Sequence, residues 1–287
     1  MNKYIDLHTH SSVSDGTFSP TELANEAKRV GLRAIALTDH DTTDGIADFT
    51  KTCEKNGIEG IPGVEISTSW YSSSLHIVGL FIDPDNGVLN KLLSEIRENR
   101  DLRNRKMVSK LNKLDYRITL EELIEESGDE KVIGRPHFAA ILIRKGYFET
   151  PSEVFNELLG DRKKGFVPRY LPMPGVGISA IHAAGGLAIW AHPYSMQNVP
   201  CSVTRKTCKT LIKHKLDGIE CYYTSFSDKD RENAMTMVRD YNLLVSGGSD
   251  FHGKNTPDVV LGLGNKKFET LRIPYSLVEN MKRKLQI

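Results

Sequence analysis

At 287 residues the chain is long enough for one large catalytic domain, or for a barrel carrying an insertion. Hydrophobic residues at 39% and charged residues at 26% describe an ordinary globular protein, with no apolar run of bilayer length. A net charge of +1 lacks the basic excess needed for stable duplex nucleic-acid binding, but leaves room for a local patch that takes a small anion.

Met1-Asn2-Lys3-Tyr4 runs at once into a strand-like segment, which leaves no room for a signal peptide and makes the cytoplasm the expected compartment, with no membrane partner. Short apolar runs at Tyr4–Leu7, Ala34–Leu37, Gly60–Ile66, His76–Ile82, Leu187–Ala191, Gly218–Tyr222 and Leu243–Ser246 alternate with helical patterns. That rhythm predicts an α/β fold with a parallel sheet or barrel. Ser19, Pro20 and Glu22 spell a capping box with proline at the first helical position, and Gly31 closes the helix. Between the fourth and fifth runs the rhythm breaks for far longer than an ordinary connection. Lys91–Leu114 reads as a long charged helix, and Thr119 with Glu122 opens another through a second capping box. The chain is thus expected to divide into a first barrel segment 1–88, a mostly helical insertion 89–185 and a second barrel segment 186–287. Cys53, Cys201, Cys208 and Cys221 make no CxxC pair, so idle or buried thiols are expected rather than disulfides or a zinc knuckle.

The chemistry gathers at the ends of the strand-like runs. The first closes in Asp6-Leu7-His8-Thr9-His10-Ser11, where His8 and His10, two apart on a strand, share a face. By itself a His-x-His pair is as often two packed imidazoles as a metal site. It is joined by Asp15 in the turn Ser14-Asp15-Gly16, His40 in Thr38-Asp39-His40-Asp41 and Glu65 in Gly63-Val64-Glu65. His76 follows at the start of the fourth run, then His192 in Ala191-His192-Pro193, and Asp250 and His252 in Ser249-Asp250-Phe251-His252. Exposed strand ends need no imidazole to be stable, whereas parallel α/β folds assemble their sites there. These six histidines and three carboxylates therefore predict a polynuclear metal site. Imidazole and carboxylate without thiolate favour Mn, Fe or Zn over calcium or an iron–sulfur cluster. Closely spaced divalent ions would acidify a bridging water to a hydroxide and neutralise phosphoryl charge. Asp39 is expected to orient a ligand imidazole. His182 reads as structural and His214 as exposed, while Tyr194 and Tyr222 are candidates to stack on a base.

Taken in order, Asp-Leu-His-Thr-His-Ser, Ser-Asp-Gly, Thr-Asp-His-Asp, Gly-Val-Glu, Ala-His-Pro and Ser-Asp-x-His resemble the polymerase and histidinol phosphatase (PHP) family over residues 6–252. The inserted Gly134-Arg135-Pro136-His137-Phe138-Ala139 and Gly165-Phe166-Val167-Pro168 look most like stand-alone bacterial phosphoesterases of that family. These include nucleoside 3′,5′-bisphosphate phosphatases that also trim short RNA from the 5′ end. The resemblance implies a distorted (β/α)7 barrel with the insertion as a substrate lid. It also implies two or three divalent ions, manganese first and iron or zinc as alternatives. His8, His10, Glu65 and Asp250 would hold one ion, Glu65, His76 and His192 a second, and Asp15, His40 and His252 a third.

The implied activity is hydrolysis of nucleotide phosphate esters, as phosphatase or exonuclease. Arg135 suits bidentate phosphate recognition, and His137 would contact the phosphate or protonate the leaving oxygen. Asp15, Arg135, His137 and Lys164 are the expected substrate-facing residues. Hydrolysis of a cyclic phosphate or of a histidinol-phosphate-like metabolite uses the same ligands and stays open, as does a non-catalytic metal-binding module. The oligomeric state is not legible.

Overall fold

All four residues of Ala34–Leu37 and of Leu187–Trp190 are buried, the mark of strands covered on both faces. They belong to the main sheet of the protein, a computed structural model that describes residues 4–71, 73–128, 132–195, 201–267 and 271–287. Its strands are β1 (Tyr4–Asp6), β2 (Ala34–Leu37), β3 (Glu59–Trp70), β4 (Ser73–Leu80), β5 (Leu187–Trp190), β6 (Gly218–Tyr223) and β7 (Leu244–Gly248). A two-stranded ribbon, β8 (Val259–Val260) and β9 (Gly264–Asn265), follows, then β10 (Ile273–Pro274). The sheet order is β10-β1-β2-β3-β4-β5-β6-β7. Its ends meet: Leu7 N–H donates to Gly247 O at 3.2 Å, and beyond the strands Asp250 N–H reaches His8 O and His10 N–H reaches Phe251 O, both at 2.9 Å. The sheet therefore curls into a nearly closed barrel whose β1–β7 follow the seven runs expected. Ile5, Leu7, Ala36, Ile61, Leu80 and Ile189 share one core with Val278 and Met281 of α10 (Ser276–Leu285).

Two strands of the main sheet depart from the parallel rule: β10, antiparallel to β1, and β4. β4 runs antiparallel to both β3 and β5, with Ser67 opposite His76. It starts at Ser73, earlier than the sequence pattern indicates. An antiparallel strand brings its N-terminal half to the end of the barrel where its parallel neighbours finish, so His76 joins the other strand-end residues.

The chain forms two compact units, Met1–Leu93 with Pro172–Ile287, and Ser94–Leu171. In the first, α1 (Pro20–Val30) has the expected Ser19–Glu22 capping box and a left-handed Gly31, and packs with α2 (Ile46–Asn56). α3 (Gly87–Asn112) begins in this unit and ends in the second. The second unit holds α4 (Leu120–Ser127), capped by Thr119 and Glu122, α5 (Arg135–Arg144), and α6 (Pro151–Val154), which passes into a π-turn at Phe155–Leu159. They bury Met107, Leu123, Phe138, Leu142 and Leu158 together. α7 (Pro174–Ala183), inside the segment read as insertion, packs on β3, β4 and β5 of the barrel. α8 (Cys201–Lys213) and α9 (Asp228–Tyr241) complete the barrel's helices among the described residues. No described helix is long and apolar enough to cross a membrane. Cys53, Cys208 and Cys221 are buried free thiols.

Barrel closure depends on one close approach. A β-carbon on Gly248 would run into the amide nitrogen and β-carbon of His8. Gly248→Ala should lower stability by about 1–3 kcal/mol or more. Gly87→Ala, which meets nothing within 4 Å at the start of α3, should be neutral or stabilising by up to about 1 kcal/mol. Urea unfolding of both variants checks the contrast, and equal midpoints would contradict it.

Candidate metal centre

The parallel strands finish at one end of the barrel, and the antiparallel β4 delivers its first half there. Glu65 of β3 stands at the centre of that end, with its carboxylate 1% exposed. Its Oε2 lies 3.2 Å from His8 Nε2, 3.3 Å from His10 Nε2 and 3.0 Å from His40 Nδ1. Its Oε1 lies 2.8 Å from His76 Nδ1 and 3.0 Å from His192 Nε2. Asp250 Oδ1 adds contacts of 3.1 Å to His10 Nε2 and 3.5 Å to His8 Nε2. Asp15 Oδ1 lies 3.2 Å from His252 Nε2, and its Oδ2 lies 3.7 Å from His40 Nε2. All nine ligand candidates read from the sequence thus meet in one place.

Their donor atoms fall into four overlapping sets, each within 4.8 Å: His10, Asp15, His40, His252; His8, His10, Asp250; His8, Glu65, His192; and His40, Glu65, His76. His76 and His192 come together through the shared oxygen of Glu65. Four buried ring nitrogens, His8 Nε2, both of His10 and His40 Nδ1, have no partner in hydrogen-bonding geometry. Buried polar atoms are normally satisfied. Converging lone pairs on imidazole and carboxylate fit divalent cations such as Mn, Fe or Zn.

Around the cage three aspartates act as clamps between neighbouring strand ends. Asp6 accepts from the N–H and hydroxyl of Ser249, at 2.9 and 2.5 Å. Asp39 accepts from the N–H and hydroxyl of Ser11, at 2.7 and 2.6 Å, and from Ser14. Asp41 accepts from the N–H and hydroxyl of Ser67, at 2.8 and 3.0 Å. Asp39 therefore holds the Ser11–Ser14 loop rather than orienting an imidazole, as the sequence suggested.

Two residues at this end carry no flag in the sequence motifs. Glu220 of β6 contacts His8 Nδ1 at 3.1 Å and accepts from the His192 N–H at 2.7 Å. The Tyr223 hydroxyl donates to Asp250 Oδ2 at 2.8 Å. Tyr222, the stacking candidate, instead packs against the barrel core, 5.5 Å from the Arg231 guanidinium. The reason is a bulge: Glu220 pairs with Ser246, Tyr222 with Gly247 and Tyr223 with Gly248, so Cys221 is an extra residue and shifts the alternation by one. A buried glutamate in the apolar run Gly218–Tyr223 is the sequence signal for Glu220; nothing in the sequence marks the bulge. Tyr194 meets Phe226 edge-on, and His182 pairs with Asp217 at 2.7 Å, the structural role expected of it.

The remaining candidates lie in the other unit. Arg135 Nη1 donates to Asp161 at 2.7 Å and to Leu159 O at 3.3 Å. His137 Nδ1 accepts from Gly134 N–H at 3.0 Å and so caps α5. Lys164 is exposed, with its Nζ 5.3 Å from the Tyr116 ring.

Charge at the cage is tightly coupled. Burial opposes a proton on His10, but the Asp250 and Glu65 carboxylates outweigh it and lift the ring to about 10. The same contest raises His8 and His192. Burial pushes His40 down to about 4, while burial works against the charge on Glu65 and its imidazoles still hold it well below the usual carboxylate range. In the metal-free protein His10 is thus protonated and stabilises the fold fully below its ordinary value of 6.5. That contribution is lost as pH rises through about 10. An entering ion must displace these protons. Titrating Mn(II) into chelator-stripped protein near pH 7 should release protons, with affinity rising from about pH 6 to about pH 9. Calorimetry in two buffers of different ionisation enthalpy checks this, and a flat pH dependence without proton release would contradict it.

Known proteins resemble this chain over most of its length. The 5'-3' exoribonuclease Rnm of Escherichia coli (strain K12) is 32% identical over 251 residues, 86% of this chain and 84% of its own. The 3',5'-nucleoside bisphosphate phosphatase of Chromobacterium violaceum is 34% identical over 258 residues, 86% of this chain and 87% of its own. A crystal structure from Chromobacterium violaceum, described as an amidohydrolase with bound sulfate and no metal, superposes with a TM-score of 0.83 at 31% identity, covering 99% of this chain and 96% of that one. The family model of the PHP domain matches residues 6–163. That match covers more than half of the chain, so the chain belongs to the PHP family.

Proposed function

We propose that the chain hydrolyses phosphate esters of nucleotides, taking a nucleoside 3′,5′-bisphosphate or a short 5′-phosphorylated oligonucleotide, with two or three divalent ions at the Glu65 cage. The observation that carries this reading is the double-faced Glu65 carboxylate, with three imidazoles at Oε2 and two at Oε1. A carboxylate offers about four lone-pair positions and cannot satisfy five rings; cations shared between its oxygens and the rings can. The names of the Escherichia coli and Chromobacterium violaceum relatives support the nucleotide class.

In this reading His8, His10, Glu65 and Asp250 hold one ion, Glu65, His76 and His192 a second, and Asp15, His40 and His252 a third. The donor chemistry suits manganese, with iron and zinc as alternatives. When bound, the ions activate water and offset phosphoryl charge in an in-line displacement. Glu65 spans two ligand sets and keeps them close. Asp15, at 38% the most exposed of the carboxylate ligands, is the side over which a phosphate enters. Arg135 pairs with the phosphate that is not cleaved, through two parallel hydrogen bonds, exchanging Asp161 for it. His137 gives a proton to the leaving oxygen, and Lys164 adds positive charge. The insertion that carries these three selects the substrate.

Manganese-loaded protein offered nucleoside 3′,5′-bisphosphate, short 5′-phosphorylated RNA, a cyclic phosphodiester and histidinol phosphate should turn over the first two fastest. Preference for either of the others would replace the nucleotide reading. His192→Ala should lower kcat on the order of a hundredfold or more with circular dichroism unchanged. Full activity in that variant would remove His192 from the machinery.

A further inference from the structure

β6 supplies no candidate ligand, yet its side chains grip ligands on two sides of the cage. The buried Glu220 carboxylate meets the His8 ring at Nδ1 through Oε1, at 3.1 Å, and accepts the His192 backbone N–H through Oε2, at 2.7 Å. Three residues on, the Tyr223 hydroxyl donates to Asp250 Oδ2 at 2.8 Å, and its ring lies 5.3 Å from that of His192. His192 and Asp250 are the candidate ligands whose backbones stand in the left-handed region, with φ of 31° and 56°. L-residues leave that region unless their surroundings hold them there. Each of the two is held by a β6 side chain.

We infer that Glu220 and Tyr223 are positioning residues that set the geometry of the cage, an inference that rests on the metal-dependent reading above. Glu220 accepts the proton on His8 Nδ1. The lone pair is then left on Nε2, which points at Glu65 Oε2 and Asp250 Oδ1, 3.2 and 3.5 Å away. The other oxygen of Glu220 fixes the turn that aims the His192 ring at Glu65 Oε1. Tyr223 occupies Oδ2 of Asp250, so Oδ1 is the oxygen presented to His8 and His10. The bulge at Cys221 makes the double grip fit: opposite Ser246 and Gly248, two apart on β7, Glu220 and Tyr223 face the same side. A purely structural role for Glu220 would show as a less stable fold. A positioning role shows as weaker ion binding in a fold of unchanged stability.

The test is Mn(II) binding to the chelator-stripped full-length chain, measured by calorimetry and by elemental analysis of retained metal. Glu220→Gln keeps the side chain's shape, but with its amide oxygen on the His192 N–H its NH2 faces His8 Nδ1 and favours the tautomer that carries the proton on Nε2, the nitrogen an ion needs. Its Mn(II) affinity should fall by about ten- to a hundredfold, with the melting temperature of the metal-free protein close to that of the wild type. Tyr223→Phe, which removes a single hydroxyl, should weaken binding by about tenfold. Wild-type affinity and metal content in both variants would overturn the inference while leaving the metal-dependent reading standing. If Glu220→Gln fails to fold, Tyr223→Phe decides alone, and wild-type affinity there overturns the inference. A wild-type chain that binds no divalent ion sinks the metal reading itself, and this inference with it.

Discussion

Glu65 is a carboxylate taken out of water and surrounded by five imidazole rings. Burying an ionised carboxylate costs several kcal/mol unless positive charge and hydrogen bonds offset it. In this chain the offset comes from strand ends that must arrive together: His8 and His10 after β1, His40 after β2, His76 in β4 and His192 after β5. Any change in barrel register moves one of these groups away and leaves the buried charge less compensated. Fold and site are therefore one problem in this protein, joined at a single side chain.

The supports around Glu65 follow the same logic at one remove. Asp6, Asp39 and Asp41 each take both the N–H and the hydroxyl of a serine from a neighbouring strand end. Each clamp sits within two residues of a candidate ligand: Asp6 beside His8 and Ser249 beside Asp250, Asp39 beside His40 and Ser11 beside His10, Ser67 beside Glu65. Two hydrogen bonds to one carboxylate restrain direction as well as distance, and a buried carboxylate needs such partners to remain charged. Strand ends that would otherwise fray into loops are held to the precision that a site requires.

The left-handed backbone at His192 and Asp250 belongs to this economy of restraint. Such conformations cost of order 1–3 kcal/mol each and persist where the surroundings over-determine them. Here the surroundings are the β6 side chains and the close contact of β7 with β1. A small glycine at 248 lets that contact form, and the residues just beyond it turn Asp250 and His252 back over the barrel end.

Sequence by itself determined the seven main barrel strands, the capped helices and the chemical identity of the candidate ligands, because each is a local matter. Alternation, a Ser-x-x-Glu box and a His at a strand end can be read within a few residues, since hydrogen-bond capping and side-chain facing act over that range. Order along the chain also carried the family resemblance. What the tertiary structure alone decided was direction and parity. His76 stands at the start of its strand and reaches the ligand end only because β4 is antiparallel, and strand direction is set by the hairpin partner and not by composition. Tyr223 rather than Tyr222 reached the site because one extra residue at Cys221 shifts every side chain beyond it to the other face. Asp39 turned to serine hydroxyls instead of an imidazole because Ser11 and Ser14 were nearer in space than any motif could say. Those outcomes depend on which segments become neighbours, a property of the folded chain as a whole.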